Sequence, residues 1–298
     1  MPIDLPRIEP IHCDFLARHQ VVLSVLRLDQ IHPTIHGNKW FKLKPNIEQM
    51  QRQGINRILS FGGAYSNHIY ALAAAGKLYD LETIGLIRGE INDSSNPILS
   101  FAKKQGMQLV GVSRSAYRHK HEPDFLAKLR SDFGEFYLLP EGGSNELAVD
   151  GCMEIANYIE WRTTDRPRIV ALACGTGTTL SGLVCGLASQ ATVPTPAVYG
   201  VSVLKAPDYL PRQIDDCLGK RKLKSHISWK IMEQYHCGGY AKSSPQLRAF
   251  LDAFKRHSRL PLEPVYTGKL FYALFEMLKC GELPPNCELL AIHTGGTY

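Results

Sequence analysis

Short apolar segments rich in β-branched residues alternate with amphipathic segments of helical period over most of the chain. Such alternation is typical of βαβ units, which build parallel sheets flanked by helices. The sequence therefore predicts an α/β fold with open parallel sheets. The predicted strands are 57–61, 83–88, 108–113, 136–140, 168–174, 197–204, 229–233 and 288–293. The predicted helices are 66–78, 97–105, 123–133, 146–162, 179–188, 210–219, 245–257 and 269–279.

The length of 298 residues favours two lobes over one, because single hydrophobic cores stop growing at roughly 250–300 residues. A hydrophobic content of 44% and a charged content of 21% are those of an ordinary globular protein. The net charge of +6 is scattered along the chain, and no nucleic-acid-binding module is recognisable, so nucleic acid is not an expected partner. The longest apolar runs are too short to span a bilayer, so no membrane partner is expected.

The cysteines and the N-terminus bear on the compartment. None of the eight cysteines is spaced as Cys-x-x-Cys, and a chain this long does not need disulfides, so reduced thiols are expected. The histidines show no metal-ligand spacing, so no metal is expected. The first residues lack a basic segment followed by an apolar core, and no export signal is predicted. A cytoplasmic location follows as an expectation.

The stretch "GNKWFKLK", residues 37–44, contains three lysines. Lys39 and Lys42 are three residues apart and would share one face of a helix, whereas Lys44 would be turned away. A solvated basic surface is the ordinary interpretation of such a cluster. The alternative is that one of the three lysine amines is positioned for catalysis. Motifs elsewhere in the chain discriminate between these two interpretations.

Three predicted strand ends are rich in glycine and hydroxyl residues, and ligands of parallel sheets bind at strand ends. The segments are "FGGAYSNH" (61–68), "ACGTGTTLSG" (173–182) and "IHTGGTY" (292–298). The second offers backbone N–H groups, threonine hydroxyls and a helix N-terminus, which together suit a phosphate. It lacks the Gly-Lys-Ser/Thr of a Walker loop and the third glycine of a dinucleotide fingerprint. A tight turn without a ligand stays open for this segment alone.

The combination of motifs narrows the chemistry. A reactive lysine, a separate phosphate site and a polar Ser-Asn turn together suggest pyridoxal 5'-phosphate as the cofactor. That cofactor is bound covalently through a lysine amine, while its phosphate and its ring nitrogen are bound by other groups.

In this order, "GNKWFKLK", "GGAYSNH", "GTGTTLSG", "EPVYTGK" and "HTGG" resemble the 1-aminocyclopropane-1-carboxylate deaminase/D-cysteine desulfhydrase family. This family belongs to the tryptophan-synthase β-like, fold type II group of pyridoxal-phosphate enzymes. The resemblance runs from about residue 27 to residue 296 and implies that same two-lobed fold. It also implies a large cofactor-binding domain of residues 1–43 and 145–298, a small inserted domain of residues 44–144, a cleft between them for the cofactor, and a homodimer.

The resemblance implies roles for the cofactor-binding residues. Lys39 would carry the cofactor and act as the catalytic base, and Lys42 would help to neutralise the phosphate. Asn67 would bond the ring hydroxyl, and Thr267 would bond the ring nitrogen. The phosphate would be held by Thr176, Gly177, Thr178 and Thr179.

A second set of residues is implied for the substrate. Ser66, Asn67 and His68 would line the site of the substrate carboxylate, with Ser66 also catalytic. Tyr266 would face the substrate, and Tyr240 occupies the place of a second active-site tyrosine. Thr294 stands where deaminase members carry leucine.

The activity implied is a lyase or deaminase reaction of the D-cysteine desulfhydrase type, with β-elimination giving a 2-oxo acid, ammonia and, from cysteine, sulfide. Thr267 stands where deaminase members carry glutamate, which favours elimination over opening of a cyclopropane ring. Positions 36, 41 and 65 and the "AKS" after Tyr240 depart from the family pattern and surround the substrate. Cyclopropane-ring opening, a non-catalytic cofactor-binding protein and a nucleotide-binding module stay open as alternatives.

Overall fold

The computed structural model describes residues 3–35, 37–91, 95–162, 165–190, 195–223 and 226–296. Its strands are β1 (Ile8–Ile11), β2 (Val22–Arg27), β3 (Arg57–Gly62), β4 (Glu82–Arg88), β5 (Gln108–Val112), β6 (Tyr137–Leu139), β7 (Arg168–Cys174), β8 (Ala197–Ser202), β9 (Trp229–Met232) and β10 (Glu288–His293). Its helices are α1 (Asp14–Arg18), α2 (Asn38–Arg52), α3 (Asn67–Tyr79), α4 (Pro97–Lys104), α5 (Arg114–Arg118), α6 (Pro123–Phe133), α7 (Glu146–Met153), α8 (Thr178–Ser189), α9 (Tyr209–Gly219), α10 (Pro245–His257) and α11 (Thr267–Lys279). None of the helices in these ranges is long and apolar enough to cross a lipid bilayer.

The chain divides into two compact units. The first contains residues 1–38 and 152–298, and the second contains residues 39–151. The boundaries that the sequence suggests for two functional domains, 1–43 with 145–298 and 44–144, stay a prediction.

The first unit contains a six-stranded sheet in the order β1-β2-β10-β7-β8-β9. All neighbouring strands are parallel except β1 and β2, which are antiparallel at the edge of the sheet. Every residue of β10 is buried, which is characteristic of a central parallel strand covered on both faces. The core includes strand residues such as Leu23, Ala171 and Leu289 and apolar side chains of α11.

The second unit contains a four-stranded, fully parallel sheet in the order β5-β4-β3-β6. Its core includes Leu59 and Phe61 of β3, Leu86 of β4 and Leu129 of α6. Both sheets confirm the predicted α/β fold with parallel strands.

The structure adds elements that the sequence did not predict. Strand β2 is one of them. Helix α2 is another, because it contains Pro45, which ordinarily breaks a helix by removing an N–H group and crowding the carbonyl four residues earlier. That carbonyl belongs to Phe41, and Gly151 packs so tightly against it that a Cβ would lie 1.9 Å from the oxygen.

The predicted helix 146–162 is wrong in its second half. Helix α7 ends at Met153, and a 3₁₀ helix follows over Glu154–Tyr158. Helix α8 packs closely at this break, since a Cβ on Gly186 would lie 2.4 Å from the Met153 carbonyl oxygen. Tertiary packing therefore overrides the helical periodicity of the segment.

Candidate active site

The lysine stretch forms the first two turns of α2. Lys39 is half-buried and Lys42 is buried, while Lys44 is partly exposed. Lys42 Nζ donates a hydrogen bond to the carbonyl oxygen of Gly142 over 3.2 Å. Because a buried ammonium needs such acceptors, the stretch is not an ordinary solvated surface.

The two residues before Lys39 are fixed by Thr294, which follows strand β10, and by the glycine-threonine turn, residues 175–179. Gly37 has φ +70°, and a Cβ there would lie 2.0 Å from the carbonyl oxygen of Thr294. The same carbonyl accepts a hydrogen bond from Asn38 N over 3.3 Å. The side chain of Asn38 donates through Nδ2 to Thr179 Oγ1 over 2.8 Å. Asn38, the residue directly before Lys39, is therefore held in place by its hydrogen bond to Thr179. Residue 36 lies outside the described residues.

Gly37 and Asn38 were not predicted as site residues, although their signal was visible in the sequence. They directly precede the lysine in "GNK". A glycine with positive φ followed by a buried asparagine is what this close backbone approach requires.

The glycine-threonine turn connects β7 to α8. Helix α8 begins at Thr178, and its N-cap is Gly177 with φ +78° and no capping side chain. A Cβ on Gly177 would lie 2.9 Å from Ile214 Cγ1, so the position excludes larger residues. Thr176 Oγ1 and Thr178 Oγ1 are 3.2 Å apart. Hydroxyl groups and a helix N-terminus thus converge on the turn, as an anion requires.

The start of α11 contains a buried carboxylate. Glu263 Oε1 accepts hydrogen bonds from the backbone N–H groups of Tyr266 and Thr267 over 2.8 and 2.6 Å, and Oε2 accepts one from Val265 N over 2.6 Å. Thr267 Oγ1 also donates to Glu263 Oε1 over 3.2 Å. Burial raises the pKa of Glu263, and the hydrogen bonds oppose that rise. Sequence reasoning missed Glu263, which is four residues before Thr267 in "EPVYTGK".

The two tyrosines of the first unit lie together. Tyr240 and Tyr266 have ring centroids 6.1 Å apart at an interplanar angle of 72°. A Cβ on Gly175 of the glycine-threonine turn would lie 3.3 Å from Tyr266 Cε1. The buried Lys269 donates to Gly239 O over 2.7 Å and so ties the segment of Tyr240 to α11.

The Ser-Asn turn connects β3 to α3 in the second unit. Ser66 is the N-cap of α3, and its Oγ accepts a hydrogen bond from Ile69 N over 3.3 Å. Asn67 is the first helical residue and is half-buried. His68 follows and is buried, with Nε2 lying 2.7 Å from Ser60 Oγ.

Burial and the charges of Lys39 and Lys42 hold the pKa of His68 well below its ordinary value of 6.5. The imidazole is therefore neutral at neutral pH. Its Nδ1 is buried and has no hydrogen-bond partner among the described residues. Such an atom is uncommon in a native structure and marks a place where another group belongs.

The structure thus groups the predicted residues within each unit. In the first unit, Asn38 connects Thr294 to Thr179, Gly175 approaches Tyr266, and Tyr240 lies beside Tyr266. In the second unit, Lys39 and Lys42 act electrostatically on His68, which adjoins Ser66 and Asn67 in the chain. Cys174, at the end of β7, is buried with its Sγ 3.8 Å from Leu172 O and has the surroundings of a packed thiol.

The residues present fit pyridoxal phosphate. The glycine-threonine turn has threonine hydroxyls and a helix N-terminus without a capping side chain, which suit a phosphate. Lys39 supplies an amine next to a residue fixed to the same turn, and His68 Nδ1 is an unsatisfied polar atom in the second unit.

Comparison with known proteins identifies the family. The sequence profile of the family described as pyridoxal-phosphate dependent enzymes matches residues 9–295. The chain belongs to this family. Its cofactor is pyridoxal phosphate, and both the predicted cofactor and the resemblance are confirmed.

The relatives of this pyridoxal-phosphate dependent enzyme carry two names. A Thermotoga maritima protein, provisionally named a 1-aminocyclopropane-1-carboxylate deaminase, is 29% identical over 315 residues and covers 100% of this chain and 97% of its own. A Yersinia enterocolitica protein named D-cysteine desulfhydrase is 24% identical over 298 residues, covering 95% of this chain and 88% of its own.

Two solved structures share the fold of this chain. A crystal structure described as an ACC deaminase homologue superimposes with a TM-score of 0.80 at 24% identity, covering 99% of this chain and 92% of that one. Threonine deaminase isoform 2 of Solanum lycopersicum superimposes with a TM-score of 0.67 at 14% identity, covering 100% of this chain and 80% of that one. These likenesses establish the fold type II architecture.

Proposed function

We propose that the protein is a β-eliminating lyase that acts on a small amino acid with a good leaving group at Cβ, D-cysteine first. The Cα–H and Cβ–S bonds break, sulfide leaves, and hydrolysis of the remaining enamine gives pyruvate and ammonia. When bound, pyridoxal phosphate supplies the electron sink for the pair left at Cα. The names of the relatives support this class of reaction.

The observation that carries the choice of substrate is the hydroxyl of Thr267. We propose that this hydroxyl, which donates its single hydrogen to Glu263 Oε1 in the structure, turns to donate it to the ring nitrogen when the cofactor is bound, at the position where deaminase members of the family carry glutamate. Thr267 contacts the carboxylate of Glu263. This carboxylate accepts three backbone hydrogen bonds at the start of α11. A hydroxyl does not hold a proton on the ring nitrogen, so the sink is moderate. A moderate sink is enough when the Cα–H bond is acidified and a thiolate leaves.

The remaining roles are proposed residue by residue. Lys39 would hold the cofactor covalently, and its amine would remove the Cα proton of the substrate as the general base. Lys42 adds positive charge for the phosphate, and Asn67 bonds the ring hydroxyl. The phosphate is held by the turn of Thr176, Gly177, Thr178 and Thr179.

The residues proposed to surround the substrate are assigned in the same way. The N-terminal turn of α3, with Ser66, Asn67 and His68, attracts the substrate carboxylate, because a helix N-terminus carries partial positive charge. The paired rings of Tyr240 and Tyr266 face the substrate, and Tyr266 borders Gly175 of the phosphate turn. Ser66 and the two tyrosines are the proposed catalytic partners of Lys39, and Thr294 is proposed to line the substrate site.

Opening of a cyclopropane ring is the second candidate activity. The provisional name of the Thermotoga relative favours it. That substrate has no proton on Cα, so its reaction needs a deeper electron sink than a threonine at the ring nitrogen supplies.

The test compares pyruvate released from D-cysteine with 2-oxobutanoate released from 1-aminocyclopropane-1-carboxylate, using one enzyme preparation. L-Cysteine in a third reaction measures chirality, and Lys39→Ala is the control without the base. We expect D-cysteine to react fastest. Faster turnover of the cyclopropane acid would overturn the argument from Thr267, and turnover of none would point to another substrate or to a non-catalytic protein.

We also propose a homodimer in the cytoplasm. The dimer is the usual assembly of the fold type II group, and sedimentation of the holoenzyme measures it. All eight cysteines are thiols rather than disulfides, which suits a reducing compartment. The two lobes are proposed as residues 1–43 with 145–298 and residues 44–144.

A further inference from the structure

Lys269 is a charged residue in the interior of the first unit. It lies in the first turn of α11 and has a relative exposure of 0%. Its Nζ donates a hydrogen bond to Gly239 O over 2.7 Å and a longer one to Val203 O over 3.5 Å. Both acceptors are uncharged, and a buried charge is costly to keep with neutral partners. Such a lysine is therefore a poor way to stabilise a core, and its bond to Gly239 indicates another role.

The tyrosine loop, residues 237–241, contains Gly239 and Tyr240 and has an unusual backbone. Positive φ is easy for glycine but costly for other residues, and it persists in them only where the surrounding structure imposes it. Two non-glycine residues of the loop adopt it, Cys237 with φ +52° and Ala241 with φ +54°. These residues lie on both sides of Tyr240. Backbone strain of this kind collects at functional sites, so the placement of Tyr240 is a candidate for the function that the strain serves.

Gly239 is where the tyrosine loop is fastened. Its carbonyl oxygen accepts hydrogen bonds from Lys269 Nζ over 2.7 Å and from Lys242 N over 3.1 Å. A Cβ on Gly239 would lie 3.3 Å from Lys205 Cβ, so the loop also packs against the segment that follows β8. The bond from Lys242 is local to the turn. The bond from Lys269, in contrast, attaches the loop to a separate element, α11.

The same end of α11 holds the ring against which Tyr240 packs. Tyr266 is the N-cap of α11, three residues before Lys269. The rings of Tyr240 and Tyr266 have centroids 6.1 Å apart at 72°, an edge-to-face arrangement. Tyr266 in turn borders Gly175 of the glycine-threonine turn, where a Cβ would lie 3.3 Å from Tyr266 Cε1. The start of α11 therefore fixes Tyr240 in two ways, through its ring and through its loop.

We propose that Lys269 is a positioning residue that acts through Tyr240: its buried ammonium holds Gly239 O and thereby keeps the phenol of Tyr240 in place beside Tyr266. The proposal rests on the proposed function of Tyr240 at the substrate. Lys269 does not touch the substrate itself. A loop that is fixed before the substrate binds does not have to be ordered during the reaction, and accurate placement of reacting groups lowers the barrier.

Lys269→Met is the first test, because methionine has a similar length but neither a charge nor a donor. Gly239 O would still accept from Lys242 N, and a buried charge would be replaced by an apolar group. We therefore expect the urea midpoint of unfolding to stay the same or rise, while kcat/KM for D-cysteine falls about tenfold. Lys279→Met, at an exposed lysine of the same helix, is the matched control and should change neither. An unchanged kcat/KM in Lys269→Met would overturn the proposal.

A double-mutant cycle with Tyr240→Phe separates positioning from general support of the core. If Lys269 acts through the hydroxyl of Tyr240, its effect should largely vanish when that hydroxyl is absent. We expect Lys269→Met to lower kcat/KM about tenfold in the parent protein but less than about twofold in Tyr240→Phe. Lys269→Gln, which retains a neutral donor one atom shorter, should recover part of the activity. An equal loss in both backgrounds would mean that Lys269 does not act through Tyr240.

Hydrogen exchange of the holoenzyme, read by mass spectrometry without substrate, measures the loop independently of turnover. We expect peptides that cover residues 235–244 to exchange faster in Lys269→Met than in the parent protein, with peptides of α10 unchanged. Equal exchange of the loop would contradict its anchoring by Lys269. If Tyr240→Phe alone leaves kcat/KM unchanged, or if the parent protein turns over neither amino acid, the proposed function fails. Faster exchange of the loop would then still support Lys269 as its anchor.

Discussion

The two glycine-rich turns, β3 to α3 and β7 to α8, look alike in sequence but differ in what they offer a ligand. In the first, Ser66 caps its own helix through Oγ, and the same helical turn contains the buried, neutral His68. In the second, the N-cap is Gly177, which has no side chain to cap the helix. The first turn thus offers specific side-chain atoms, and the second offers a helix N-terminus shaped for an anion. We propose that this difference in capping is the reason why the second turn, and not the first, would hold the phosphate.

The largest expected effect lies outside both turns, at the lysine. Lys39→Ala should abolish covalent binding of the cofactor and lower kcat by about a thousandfold or more, because both the proposed attachment point and the proposed general base are lost. Absorbance before and after borohydride reduction, with mapping of the labelled peptide, measures the attachment. Lys44→Ala is the matched control on the same helix. Label on Lys42 or Lys44, or on neither, would contradict the assignment.

The next effect tests the phosphate turn. Gly177→Val forces a side chain into positive φ and against Ile214, so we expect the Kd for pyridoxal phosphate to rise about a hundredfold, or about 2.7 kcal/mol. Equilibrium dialysis of the apoprotein gives the Kd, and thermal unfolding reports any general loss of structure. An unchanged Kd would mean that the turn of Gly177 does not bind the phosphate and would contradict the proposed difference between the two turns.

Much of this arrangement was visible in the sequence because strand and turn chemistry are local. Strands β7 and β10 and helices α6 and α10 have the predicted bounds, and the glycine-rich turns lie at strand ends as expected. Helix α2 was not predicted because a proline such as Pro45 ordinarily interrupts a helix. The helix accommodates Pro45 where Gly151, distant in the sequence, packs against the carbonyl group of Phe41.

The partners of the site residues were less visible, because they come from distant parts of the chain. Ser60 is bonded to Leu139, 79 residues away, and Asn38 is bonded to Thr179, 141 residues away. Only the folded chain brings these groups together. The residue types at the site were therefore predictable, whereas their hydrogen-bond partners were not.

A smaller effect is expected in the first turn. Ser66→Ala removes the cap of α3 and should lower the free energy of unfolding by about 1 kcal/mol, as measured by urea denaturation. Ser66→Asn, which retains a capping oxygen, should recover most of that loss. The Kd for pyridoxal phosphate should change far less than in Gly177→Val. A large change in the Kd of Ser66→Ala, with unchanged stability, would mean that the phosphate binds at the turn of Ser66 and not at the turn of Gly177.

The last effect separates the two turns by the pH dependence of stability. His68 has a pKa well below 6.5 in the folded protein, so below about pH 6.5 the unfolded chain binds a proton that the folded chain excludes. Stability therefore falls as pH falls through that range, by up to about 1.4 kcal/mol per pH unit from this one group. The segment 173–182 has no histidine, acid or base apart from the Cys174 thiol and makes no such contribution. Subtracting the urea-denaturation curve of His68→Gln from that of the parent protein between about pH 5 and pH 8 isolates the effect. Because other histidines titrate equally in both proteins, a flat difference would mean that His68 takes up its proton normally when folded.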